Sequence, residues 1–226
     1  MKIGVIRETF AGEKRVAATP EVAAKLVNKG FDLIVEQGAG EPSHFHDPQY
    51  VEAGAQLVDR GEALAADLVL SVRKPTPEIV QGLREKAILI SHLEDCEDDG
   101  TINRLLDKHI VTFGMERIPR ISRAQSMDAL SSQSNIAGYR AVIEAAVQYG
   151  RFLPLMMTSA GSAKPARLVV LGAGVAGLQA IATARRLGAD VHAYDIRPET
   201  REQIESLGAK FIDIDVGESG AGEGGY

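Results

Sequence analysis

Gly172, Gly174 and Gly177 stand in the segment Leu168-Val-Val-Leu-Gly172-Ala-Gly174-Val-Ala-Gly177-Leu-Gln, a G-x-G-x-x-G spacing that follows a strand-like apolar run and opens a helical one. Each glycine has its own physical task in such a turn. Gly172 permits the tight reversal, Gly174 lets a pyrophosphate approach the backbone, and Gly177 lets helix and strand pack closely. The helix start around Val175 and Ala176 then offers free N–H groups and a partial positive charge to an anion. Asp195 ends the next strand-like run, eighteen residues after Gly177, and is followed by Ile196 and Arg197. A carboxylate there accepts hydrogen bonds from adenosine ribose hydroxyls and repels the extra phosphate of NADP, so the pattern predicts an NAD(H) site. Arg197 pulls the other way, since a nearby arginine can accept a 2′-phosphate. Glycines alone also mark bland turns; strand, glycines, helix, strand and acid in this order point to a dinucleotide.

A second stretch carries polar chemistry, Glu116-Arg-Ile-Pro-Arg120-Ile-Ser-Arg123-Ala-Gln125-Ser-Met-Asp128-Ala-Leu-Ser131-Ser-Gln-Ser-Asn-Ile-Ala-Gly-Tyr139. Gln125, Asp128 and Ser131 recur every three residues and would share roughly one face of a helical start. Ser126 or Asp128 could equally serve as a helix N-cap, which needs no ligand. The residues alone leave ligand contact and capping both open.

The elements that must position these groups read as α/β throughout. Ile3–Ile6, Phe31–Val35, Asp67–Val72, Ala87–Ser91 and Ile110–Phe113 are short apolar runs expected as buried strands. Pro20–Lys29, Pro77–Glu85 and Gly100–Asp107 carry helical spacing, two of them opening with proline in the first turn. This rhythm implies a parallel sheet with helices on its faces. Ser126–Tyr149 is expected as one long helix, with Gly138 inside it marking a bend or a close approach. Residues 1–150 are therefore expected as an N-terminal α/β domain ending in a long linking helix, and Met156–Ala166 as an interdomain link. Residues 151–226 are expected as the second domain, with strands at Arg167–Leu171, Asp190–Tyr194 and Lys210–Ile214 and helices at Gly174–Leu187 and Pro198–Leu207. That is one βαβαβ half of a doubly wound fold. The expectation is two Rossmann-like domains with parallel sheets, the second truncated, in a fragment or split subunit.

Composition removes several alternatives. The net charge of −6 over 226 residues, without a basic cluster, argues against nucleic-acid binding. Cys96 is the one cysteine and sits in the acidic stretch Glu94–Asp99, a poor setting for a thiolate. No run of about 18 apolar residues suggests a membrane span, and Met1–Arg7 enters a strand pattern without a signal-peptide profile, so a cytoplasmic polypeptide is expected. His44-Phe-His46-Asp47 reads as polar turn residues, His109 as flanking a strand, and no Cys/His spacing suits zinc, so no metal site is expected. No serine lies in a G-x-S-x-G elbow.

Through essentially its whole length the chain resembles the NAD(H)-binding component of proton-translocating nicotinamide nucleotide transhydrogenases, within the alanine dehydrogenase/transhydrogenase family. The similarity includes Gly12-Glu-Lys-Arg-Val16, Glu36-Gln-Gly-Ala-Gly40, the stretch from Met156 to Gly177 and, most specifically, the loop from Arg120 to Tyr139. In the family that loop contacts the nicotinamide end of the nucleotide, and its Arg, Gln, Asp and Ser positions match Arg120, Gln125, Asp128 and Ser131. The resemblance implies that Arg120, Asp128 and Ser131 fix the carboxamide and ring while Gln125 bridges toward an incoming nucleotide. Gly224-Gly-Tyr226 resembles a mobile loop that closes over bound nucleotide, which adds Gly225 and Tyr226 to the expected contacts. It further implies NADH in a cleft between the domains and hydride transfer to NADP⁺ on a separate component. A membrane-spanning component would couple that transfer to proton movement, with this chain a homodimer held at the membrane by its partners. Two alternatives stand beside it. In an alanine dehydrogenase the substrate-binding Arg and His would correspond to Arg15 and His92, with Arg73 where a lysine is expected and Lys74 displaced by one. A truncated, non-catalytic NAD-binding module is the other.

Overall fold

The structure is a computed structural model that describes residues 1–94 and 99–214. Cys96 and the glycine-rich ending with Gly225 and Tyr226 lie outside the described residues. The chain divides into two compact units, Met1–Asp128 and Ala129–Tyr226.

In the first unit β1 (Lys2–Val5), α1 (Pro20–Asn28), β2 (Asp32–Glu36), α2 (Asp47–Glu52), β3 (Gln56–Val58), α3 (Arg60–Leu64) and β4 (Leu68–Leu70) follow one another. α4 (Pro77–Gly82), β5 (Ile88–Ser91), α5 (Thr101–Asp107) and β6 (Val111–Gly114) complete it. The six strands form one sheet in the order β3-β2-β1-β4-β5-β6, with every pair parallel. Helix starts follow local chemistry. The Thr19 and Thr76 hydroxyls accept from the N–H groups of Val22 and Ile79, with proline next in each case, and Asp59 accepts from Glu62.

Side chains alternate across the sheet, and both faces are covered. Ile3, Val5, Leu33 and Val35 pack with Ala23 of α1 and Tyr50 of α2. Ile34, Val69 and Leu89 point the other way, onto Ala63, Leu64, Ile79, Val80 and Leu105 from α3, α4 and α5. Each fully buried aliphatic side chain contributes about 1.5–3 kcal/mol relative to exposure. Helices thus change faces where β1 meets β4, the topological switch point at whose strand ends open α/β sheets place ligands. Gly4 on β1 has no room for a side chain, since a Cβ there would sit 2.1 Å from the Ala63 carbonyl oxygen.

Lys108, just after α5, secures the end of α4. Its ammonium donates to the carbonyls of Val80 at 3.1 Å, Gln81 at 2.7 Å and Leu83 at 2.6 Å. These are final-turn carbonyls with no helical partner, and a cation also suits that end of the helix. Lys108→Met keeps the aliphatic stem and removes all three bonds, so it is expected to lower unfolding free energy by about 1.5–3 kcal/mol in chemical denaturation. A midpoint unchanged from wild type would refute this capping role.

The second unit opens with α6 (Ala129–Tyr149), then the pair β7 (Met156–Thr158) and β8 (Gly161–Ala163). β9 (Arg167–Leu171), α7 (Val175–Arg186), β10 (Asp190–Tyr194), α8 (Thr200–Ser206) and β11 (Lys210–Phe211) follow. The sheet is parallel in the order β11-β10-β9, one half of a doubly wound arrangement. Its core joins Ala180, Ile181 and Ala184 of α7 to Val191, Ala193, Ile204 and Val142.

Three expectations are corrected. The long helix starts at Ala129, because Ser122–Met127 forms a 3-10 turn and Asp128 is extended at ψ 90°. That helix belongs to the second compact unit, so the division falls at 128/129 and not at 150/151. The physical reason is Gly138, buried against α7, where a Cβ would lie 2.1 Å from the Ala176 carbonyl oxygen; the close approach expected at this glycine is present. The stretch expected as a link contains the antiparallel hairpin β7–β8.

Candidate functional site

The turn between β9 and α7 has the geometry that its sequence requires. Gly172 adopts φ +93°, the left-handed region that favours glycine. A Cβ on Gly174 would meet nothing within 4 Å, whereas one on Gly177 would lie 1.8 Å from the Gly172 carbonyl oxygen. The backbone at Gly174 is therefore open to approach from outside, whereas Gly177 is glycine because the fold leaves no room there. α7 begins at Val175, so the N–H groups of Val175, Ala176 and Gly177 have no helical partner one turn back. Such a turn, with unpartnered N–H groups at a helix start, is chemically suited to an anion.

Asp195 lies just past β10 and is 8% exposed. One carboxylate oxygen accepts from the Arg197 N–H at 2.9 Å and Arg197 Nε at 3.0 Å. The other accepts from the Ala173 N–H at 2.6 Å and Arg197 Nη2 at 3.1 Å. The Arg197 guanidinium chiefly holds this carboxyl down to about 2, assisted by the two backbone N–H groups and opposed by burial. Asp195 thus joins the glycine turn to the end of β10, and Arg197 is drawn onto it. Ile196 between them is exposed. The Ala173 N–H was not singled out in the sequence, and no signal could have found it, because every residue but proline carries that donor.

In the first unit, Arg120 and Asp128 come together, with Nε to Oδ2 at 3.8 Å. Gln125 projects from the intervening 3-10 turn, which buried Ala124 anchors. The Gln125 side chain is exposed and makes no hydrogen bond among the described residues. Because Gln125 is in a 3-10 turn and Asp128 is extended, Gln125, Asp128 and Ser131 do not share a helix face; Ser131 stands in the first turn of α6. Glu116 holds the segment just past β5, accepting from the N–H groups of Leu93 and Glu94, each at 2.8 Å.

The residues that would carry an amino-acid substrate site are engaged within the chain. Arg15 is paired with Glu13, whose carboxyl it holds down to about 2, at 2.8 Å from Nε and 2.7 Å from Nη2. Arg73 stacks over Phe10 at 4.5 Å and pairs with Glu94 at 3.3 Å, and Lys74 pairs with Asp99 at 2.9 Å. The His92 ring Nδ1 lies 2.8 Å from the Val72 carbonyl. Glu8 accepts from the N–H groups of Val72 and Arg73, and burial raises its pKa. His46 stands at the N-cap of α2 and meets Glu41 at 2.8 Å. Among the described residues no three His, Cys, Asp or Glu side chains are grouped to hold a metal, and no helix is long and apolar enough to cross a membrane.

Residues 4–137 match the alanine dehydrogenase/PNT N-terminal domain, and residues 141–221 match the corresponding C-terminal domain. The chain is 46% identical over 226 residues to a Haemophilus influenzae protein named NAD(P) transhydrogenase subunit alpha, covering 100% of this chain and 44% of that protein. It superposes on the crystal structure of transhydrogenase from Sinorhizobium meliloti with a TM-score of 0.92 at 48% identity, covering 94% of this chain and 64% of that one. An L-alanine dehydrogenase structure aligns with a TM-score of 0.83 at 29% identity, covering 93% and 60%. The chain therefore spans between 44% and 64% of the length of these proteins.

Proposed function

The chain belongs to the alanine dehydrogenase/PNT family, a family of oxidoreductases, and from that premise we propose that it is the NAD(H)-holding part of a proton-translocating NAD(P) transhydrogenase. The observation that carries the nucleotide reading is the pairing of an open Gly174 with a buried Asp195 at the end of the neighbouring strand. A pyrophosphate fits the first and the adenosine ribose of NAD(H) the second. The nicotinamide end is assigned to Arg120, Gln125, Asp128 and Ser131 on the strength of the family resemblance. Gly225 and Tyr226 are retained as further nucleotide contacts on the same ground.

Bound NADH supplies the hydride; the chain positions it. The N–H groups of Val175 and Ala176 hold the phosphates, and Asp195 orients the ribose. Arg120 and Asp128, already close to one another, would hold the carboxamide and so orient the nicotinamide for transfer. NADP⁺ is held by a partner component, and a membrane-spanning component couples transfer to proton movement. The chain is then cytoplasmic and peripheral to the membrane through those partners. Homodimerisation is part of the proposal, and the exposed Ile136, Tyr139 and Val147 on α6 offer apolar surface for it.

Equilibrium titration with NADH and, separately, NADPH tests this reading by nucleotide fluorescence, with low background because the chain has no Trp. Saturable NADH binding with NADPH at least about tenfold weaker is expected. Preference for NADPH would sink the assignment of Asp195. Reconstitution with an NADP(H)-binding component separates the transhydrogenase reading from a non-catalytic module. Alanine-dependent reduction of NAD⁺ would restore the dehydrogenase alternative, against which stands Arg73 at the position where a lysine is expected.

A further inference from the structure

The second unit carries a run of positive charge within an acidic chain. From Ala145 to Ala189 there are five cations, Arg151, Lys164, Arg167, Arg185 and Arg186, and no Asp or Glu, although the whole chain has a net charge of −6. The fold gathers four of them at the end of the sheet remote from the glycine turn. Arg167 opens β9, and Arg185 stands in the last turn of α7. The segment after α6 is fastened to the same end. The Ala166 N–H donates to the Leu153 carbonyl at 3.0 Å, and a Cβ on Gly188 would lie 2.6 Å from Pro154 Cβ. Two adjoining depressions result, of about 730 Å³ and 560 Å³, and Lys164 and Pro165 line both. Tyr149, Arg151 and Phe152 border the first, and Arg167, Arg185 and Asp190 the second.

We propose that this double groove is a docking surface for an acidic segment of a partner protein. Arg151, Lys164, Arg167 and Arg185 are exposed, and among the described residues their side chains make no ion pair or hydrogen bond. Asp190 does not neutralise them, because its carboxylate is engaged by Lys210 at 2.9 Å and His192 at 3.1 Å. A cation at the end of α7 also suits the helix dipole, which accounts for Arg185 but not for Arg151, Lys164 or Arg167. Charge complementarity therefore calls for an anion. Cations spread along two linked depressions match a chain of carboxylates, whereas a single phosphate needs donors that converge on one point. A membrane surface attracts basic segments that lie along it, and these cations line concavities instead. Tyr149 and Phe152, 48% and 59% exposed, add the aromatic surface that protein interfaces favour. The surface does not depend on the nucleotide-site reading.

The test is fluorescence anisotropy of a labelled oligoglutamate peptide with the full chain at low ionic strength, where exposed ion pairs are least screened. Saturable binding that weakens with added salt is expected. Lys164→Glu, at the position common to both depressions, should weaken it by at least about tenfold, and Arg151→Glu by a similar factor, since each reversal replaces an attraction with a repulsion. Lys29→Glu in the first unit makes the same change in net charge and should alter binding by less than about twofold. None of these three side chains has an ion pair to lose among the described residues, so thermal melts should match wild type. The two groove variants are independent arms, and either one suffices if the other misfolds. No peptide binding by wild type, or binding that survives the groove reversals, would overturn the proposal. Tighter binding to vesicles of phosphatidylcholine and phosphatidylglycerol, or to polyuridylate, would overturn it in favour of a lipid or nucleic-acid surface. A changed sedimentation mass in Lys164→Glu would overturn it in favour of a contact between copies of this chain.

Discussion

Gly174→Ala is expected to leave the second unit folded and yet weaken NADH binding by about a hundredfold, whereas Gly177→Ala is expected to damage the fold itself. The two glycines sit three residues apart in one turn and differ in what a methyl group would meet. At Gly174 the added carbon finds nothing within 4 Å, and the backbone is at φ −74°, which alanine adopts freely. Thermal stability should therefore stay near wild type. The methyl would occupy the approach of the pyrophosphate, however, and loss of one or two charge-assisted contacts of about 1.5–3 kcal/mol each corresponds to the expected loss of affinity. At Gly177 alanine gains about 1 kcal/mol of helix propensity, but its Cβ would lie 1.8 Å from the Gly172 carbonyl oxygen. That oxygen is backbone in a turn whose N–H is already bonded to Tyr194 at 2.8 Å, so it has little freedom to move. The clash outweighs the propensity, with a net cost of about 3 kcal/mol or more. Thermal melts and NADH titrations on both variants check this. If Gly174→Ala bound NADH like wild type, the open space beside it would not be a phosphate approach.

The contrast between these glycines also shows what the sequence makes legible. A G-x-G-x-x-G turn records its constraints locally, because each missing side chain answers to atoms within a few residues. Five-residue apolar runs are readable for a similar reason: Arg167–Leu171 and Asp190–Tyr194 are found with the bounds expected from them, although β9 itself buries no residue fully. Shorter elements leave no such record. β3, β7 and β8 have three residues each, and α2 and α3 span six and five. The start of α6 was placed too early because Ser126 and Met127 continue a helical pattern while their backbone closes as a 3-10 turn. The tie between Asp195 and Ala173 is hidden for a different reason, since one partner is a backbone donor with no residue type. The Asp195–Arg197 pair depends on a turn that brings side chains two residues apart to one side, which the sequence shows only as proximity.

On the proposed function, Gln125→Ala is expected to lower hydride transfer from NADH to NADP⁺ by about a hundredfold in the chain reconstituted with an NADP(H)-binding component, with NADH affinity changed by less than about threefold. The fold should not notice the change, because the side chain is exposed and bonds to no described residue. Its backbone, by contrast, is held firmly: Ala124 N–H donates to the Ile121 carbonyl at 2.9 Å, Asp128 N–H to that of Gln125 at 3.2 Å, and Ala124 is buried. A free amide on a fixed turn is suited to meeting a group that arrives with a partner, in contrast to Arg120 and Asp128, which already face each other. A contact made only when both nucleotides are in place acts on the transfer step, since interactions absent from the NADH complex cannot contribute to NADH affinity. Arg120→Ala should behave differently, weakening NADH binding together with transfer, because a residue that fixes the carboxamide acts before the second nucleotide arrives. Single-turnover transfer rates and NADH titrations on the two variants separate these roles. Equal losses of affinity and rate in Gln125→Ala would place that residue with Arg120 on the bound NADH and remove its bridging role.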